Sequence, residues 1–90
     1  MFSSAIVKIT YGVHARDILA ERGIARTWVE HTIMVPDSTK PDPQPADRTR
    51  AYRAVPERDE RLLRVVYVTE AEGAHVATAF LDRGRRRRAT

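Results

Sequence analysis

The sequence predicts a small α+β domain of order β-α-α-β-β-β. A helical hairpin covers one face of an antiparallel sheet, and the other face stays open. Three observations carry this expectation. The run His14-Ala15-Arg16-Asp17-Ile18-Leu19-Ala20-Glu21-Arg22-Gly23-Ile24 reads as one short helix that stops at a glycine. A second amphipathic segment, residues 25–34, starts at once and has Trp28 in its middle. After it the chain changes character and reads as strands.

Residues 5–10 (A-I-V-K-I-T) are rich in β-branched side chains and read as a first strand, broken by Tyr11-Gly12. The first helix is expected over residues 13–22, with Ala15, Ile18 and Leu19 on one stripe. Gly23 stands where a left-handed residue belongs. Ile24 and Leu19 then occupy the two positions that meet in a Schellman ending. In the second helix, positions 25, 28, 29, 32 and 33 have the spacing of a buried face, with Trp28 as the anchor. Thr27-Trp28-Val29-Glu30 matches a capping box, and Pro36 ends the segment.

Residues 36–47 carry four prolines and no apolar period, so they read as an extended polar loop. Residues 48–55, 61–69 and 75–81 read as strands, and the middle one is the strongest. The short turns at 56–60 and 70–73 imply an antiparallel meander.

Ninety residues make one domain, expected over residues 1–82, followed by an Arg-rich tail over 83–90. The net charge of +4 resides mostly in that tail, which holds Arg83, Arg85, Arg86, Arg87 and Arg88. Without it, eleven basic residues face twelve acidic ones, a net of −1. Such a tail attracts polyanions without sequence preference, so these five arginines are candidate nucleic-acid contacts; the alternative is a solvated terminus. No cysteine is present, which removes disulfides and thiolate metal sites. The first residues lack the pattern of a secretory signal, and no apolar run approaches membrane-spanning length. The expectation is a cytoplasmic protein with no membrane partner.

No Gly-rich phosphate loop, H-E-x-x-H or metal-ligand cluster occurs in the sequence, and no cofactor is expected. Two features have the right chemistry for phosphate. His14, in the first turn of helix one, is placed to act as a general acid or base; the bland reading is a gap-filling helix residue. Arg53 and Arg64, on strands, have the planar fork that grips two phosphate oxygens; the bland reading is ordinary cross-strand pairing. Thr78 has a hydroxyl suited to a phosphate oxygen. Tyr52 and Tyr67 have the rings to stack on bases, although core packing is the more common use.

The pattern H-A-x-x-x-L-x-E-R-G-I, followed by W-V-E and Pro-Asp, resembles a bacterial domain-of-unknown-function family. That family is grouped with RelE/ParE-like toxins and is similar to BrnT-type toxins. The later L-x-V-V-Y and V-x-T-A-F stretches resemble it too, so the likeness spans about residues 6–82. The resemblance implies a RelE-like fold and, for some relatives, a place in toxin–antitoxin modules with RNA cleavage or gyrase inhibition. The family often has Arg four residues after the histidine, where this chain has Ile18.

The leading expectation is therefore a toxin-like, metal-free endoribonuclease. His14 would be its acid/base, Arg53 and Arg64 its phosphate ligands, and an antitoxin and RNA or the ribosome its partners. The alternative is a non-catalytic protein- or nucleic-acid-binding module on the same fold. The oligomeric state is left open.

Overall fold

The computed structural model describes residues 8–42 and 47–86. The elements run β1 (Lys8–Tyr11), α1 (Val13–Arg22), α2 (Arg26–Met34), β2 (Ser38–Pro41), β3 (Arg48–Val55), a 3-10 turn (Pro56–Arg58), β4 (Arg61–Glu70) and β5 (Gly73–Arg86). The strands form one sheet in the order β1-β5-β4-β3-β2.

The α+β class and the helical hairpin are as the sequence predicts. The sheet departs from expectation in two ways. It is mixed rather than antiparallel, because β1 runs parallel to β5. A parallel pair cannot be closed by a hairpin; here all the intervening elements form the connection. The sheet also has a fifth strand, β2, inside the Pro-rich segment read as a loop, paired antiparallel to β3. Every residue of β2 is exposed, so it has no apolar alternation to read. Pro41 is tolerated there because β2 is an edge strand.

α1 ends as expected. Gly23 is left-handed (φ 65°), and the Ile24 amide donates to the Leu19 carbonyl at 2.9 Å. α2 starts differently. Its N-cap is Ala25, with no side-chain cap. The helix already begins at Arg26, so Thr27 lies inside the first turn and the capping box does not form. Glu30 instead accepts a hydrogen bond from the Tyr11 hydroxyl at 2.9 Å, which ties α2 to β1. Trp28 is half-buried at the core's margin, and the covered face of α2 is Val29, Thr32 and Ile33. The Thr32 hydroxyl is fully buried and donates to the Trp28 carbonyl at 2.7 Å, so it carries no unpaired polar group into the core.

Those helix residues, with Ala15, Leu19 and Ile24, pack on Ala51 and Val55 of β3, Leu63, Val65 and Tyr67 of β4, and Ala74, Val76, Ala79 and Leu81 of β5. The inward positions of β5 change parity because the β4–β5 register slips at Val66/Tyr67, which pair with Thr78 and Val76. Ala77 is the extra residue of a bulge. Gly73, expected in a turn, opens β5 beside β1. A Cβ there would overlap the Lys8 carbonyl, so close approach of the parallel strand requires glycine.

β5 continues through the first four residues of the expected tail, with Arg86 paired to Arg61. The side chains of Arg83, Arg85 and Arg86, all of Arg87 and Arg88, and residues 5–7 of the expected first strand lie outside the described residues.

Candidate nucleic-acid interface

Strand pairing fixes which side chains share the face opposite the helices. On β3 and β4 that face takes the even positions. Three rows cross it. The first is Ser38, Tyr52, Arg64 and Phe80, on β2, β3, β4 and β5. The second is Lys40, Arg50, Val66 and Thr78. The third is Arg48, Val68, His75 and, on β1, Thr10. Cations and aromatic rings thus alternate on one surface that no helix covers.

The first row is the most ordered. The Arg64 guanidinium carbon lies 5.2 Å from the Phe80 ring centroid, and that of Arg22, from the end of α1, lies 6.0 Å from the same ring. The Lys40 ammonium is 6.0 Å from the Tyr52 ring. These are cation–π distances, and they hold the charges without consuming their N–H edges. Tyr52 and Phe80 are both partly buried, and each residue keeps some accessible surface.

Val66 and Ala54 are buried although neither belongs to the core cluster under the helices, and the Nε atoms of Arg50 and Arg64 are buried without a hydrogen-bond partner among the described residues. An unsatisfied buried donor costs free energy that an anion accepting from it would return. Arg50 is further held by Asp42 at 3.1 Å. Its pKa is raised above the ordinary arginine value, first by its hydrogen bond with Tyr52 and also by the Asp42 charge, so it stays a cation at any working pH.

His75 closes the far end. Its Nδ1 is 2.8 Å from the Thr10 hydroxyl, which fixes the ring. Its Nε2 lies by Gly12, the N-cap of α1, 3.4 Å from where a Cβ would stand.

The residues singled out from sequence fall in different places. Arg64 is at the centre of the open face. Arg53 is on the opposite face, where its Nη1 donates to the Val35 carbonyl at 2.6 Å and lies 3.8 Å from Asp37. It clamps the end of α2, beside a cavity of about 200 Å³ also lined by Trp28, His31 and Glu57. His14 is exposed in the first turn of α1. The structure does not gather His14, Arg53 and Arg64 into one site. Thr78 does share the open face with Arg64. Tyr67 is buried on the covered face, and burial raises its pKa. From the sequence some of Arg48, Arg50, Arg53, Arg61 and Arg64 must share a face, and Arg48, Arg50 and Arg64 do; Phe80, Lys40 and His75 were missed as members of that surface. Even spacing at 48, 50 and 52 was visible; the pairing register that joins it to 64 and 80 was not.

The fold and this surface define a class: a small α+β domain with a helical hairpin on one face of a mixed sheet and a cationic, aromatic opposite face. The chain belongs to the family described as domain of unknown function DUF4258, whose match covers residues 11–81. No curated protein and no solved structure matches it significantly. No helix among the described residues is long and apolar enough to cross a membrane.

Proposed function

We propose that this protein binds single-stranded RNA across the open face of its sheet, as a toxin-like module related to the RelE and BrnT types. The observation that carries the reading is the row Tyr52, Arg64, Phe80: two partly buried rings flank a guanidinium on three neighbouring strands. Bases stack on such rings without sequence preference, and cations between them neutralise phosphates. The family resemblance supports the toxin-like context, in which an antitoxin protein would cover this face.

A second reading keeps RNA cleavage. His75 favours it, because it shares the open face with Arg64 and Thr78 and is oriented by Thr10. A positioned imidazole there is suited to proton transfer in metal-free cleavage.

The test is fluorescence anisotropy with a labelled single-stranded oligoribonucleotide. Wild type binds, and Tyr52→Ala and Phe80→Ala each weaken binding by about 1–3 kcal/mol. Equal affinity for wild type and both variants overturns the reading. Incubating end-labelled RNA with wild type and His75→Ala separates the second: loss of cleavage in a folded His75→Ala protein supports it, and intact RNA with wild type removes it.

A further inference from the structure

A cavity of about 430 Å³ opens at the end of the helical hairpin, lined by Glu21, Arg22, Arg58, Arg61 and Leu81. We infer that this cavity binds a phosphate monoester, the terminal phosphate of an RNA strand or of a free nucleotide. The inference deepens the RNA-binding reading by naming the chemical group its edge accepts.

The charge balance comes first. Among the described lining residues, three guanidiniums face one carboxylate, a formal excess of +2. A phosphate monoester carries about −1.5 to −2 near neutral pH, whereas an internal phosphodiester carries a single charge. The acidic residues of the adjoining turn, Glu57, Asp59 and Glu60, are not among the lining residues. The volume falls within the range of small-molecule sites, roughly 300–1,000 Å³, so a sugar and base fit with the phosphate.

The donors are held ready. Arg58 stands 5.8 Å from the Trp28 ring, and its Nη1 reaches the Gly23 carbonyl at 3.4 Å. Arg61 spends its Nε on the Asp82 carbonyl at 3.1 Å, which leaves its terminal nitrogens to point elsewhere. Arg22 lies against Phe80. Such contacts with ring faces leave the N–H edges of a guanidinium available for oxygen.

Backbone strain marks the same place. Asp59 and Glu60 are consecutive non-glycine residues with φ of 60°. Left-handed backbone at such residues costs energy and is retained where a fixed geometry is needed. Here the turn sets Arg58 and Arg61 on either side of one cavity.

The cavity also joins the open face. Phe80 contacts Arg22, which lines the cavity, and Arg64, which centres the open face. A strand stacked on Phe80 therefore ends beside the three arginines.

The experiment has two arms on the full chain. In the first, one oligoribonucleotide is titrated with a 5′-phosphate, a 3′-phosphate or neither. One phosphorylated form should bind roughly tenfold tighter than the unphosphorylated one, the gain expected of a pair of charge-assisted hydrogen bonds. Combined Arg22→Gln and Arg58→Gln substitutions should abolish the preference, and Glu21→Gln should increase it. In the second arm, adenosine monophosphate should raise the melting temperature where adenosine does not, and the double substitution should remove the difference. Equal affinity for all three oligonucleotides together with no response to the monophosphate overturns the inference and leaves the RNA-binding reading standing. A monophosphate response without RNA affinity sustains the cavity and removes the RNA reading. A preference that persists in a folded double variant also overturns it.

Discussion

The two faces of β4 are built from alternate residues of one strand, yet they do different work. Leu63, Val65 and Tyr67 point to the helices and join one apolar cluster. Leu62, Arg64, Val66 and Val68 point to the opposite face, where their strand neighbours include Arg48, Arg50, Tyr52 and Phe80. The covered face derives its energy from apolar area removed from water, which needs the helices. Among the described residues, the opposite face has two buried apolar side chains, Ala54 and Val66, but its larger features are charges set against rings and two buried Nε groups without partners. Evolution of stability alone has no need of such a face, since cations on a sheet are mutually repulsive. The difference places the folding energy on one side and leaves the other as the proposed binding surface.

The first way to break this comparison is at neighbouring leucines. Leu63→Ala should cost about 2–5 kcal/mol, because Leu63 is fully buried among side chains that collapse only partly. Leu62→Ala, one residue away on the open face, should cost roughly 1 kcal/mol or less. Chemical denaturation of both variants checks this; equal losses would dissolve the distinction between the faces.

The second effect lies in binding rather than folding. Tyr52→Ala and Phe80→Ala should weaken RNA binding by about 1–3 kcal/mol each. Their melting temperatures should fall far less than that of Leu63→Ala. A loss of binding that only tracks loss of stability would make the open face a structural surface.

Gly23→Ala tests how the covered face is closed. The left-handed φ of 65° at Gly23 sets the angle between α1 and α2. An L side chain there costs about 1–2 kcal/mol. Thermal melts should show that loss, with RNA affinity per folded molecule unchanged.

The smallest effect concerns pH. Burial, and then the hydrogen bond to Glu30, raise the Tyr11 pKa above that of a free phenol. The neutral phenol is therefore favoured by folding. That contribution is full below the unfolded value of about 10 and is lost as the pH rises through the higher folded value. Stability should fall on the alkaline side of pH 10, and Tyr11→Phe should flatten that fall. Denaturation midpoints between pH 9 and 11.5 measure it.

Much of the fold was legible in the chain. The apolar stripe of α1 and the glycine at its end located the helix to the residue, because local pattern and local capping agree there. β3 was legible as a strand over 48–55, the bounds that the structure gives it. β2 was not, since an exposed edge strand has no apolar face. The parallel β1–β5 pair was not, since strand direction depends on chain geometry that no local pattern encodes. Trp28 suggested the anchor of α2, yet Val29, Thr32 and Ile33 fill the interior and the indole sits at the margin under Arg58. The candidate site was legible in type and not in membership. Arginines on strands suggested phosphate, and Arg64 does lie on the open face. Arg53 faces the other way because it sits one position out of phase with Tyr52.

The central claim is that ligand meets the even side chains of β4 and not the odd ones. Methyl and aromatic NMR spectra recorded with and without a single-stranded oligoribonucleotide test it within one strand. Val66, Val68, Tyr52 and Phe80 should shift on titration, while Val65, Leu63 and Val29 stay in place. Shifts confined to Val65, Val29 and the helices, or no shift at all at saturating RNA, would contradict the account.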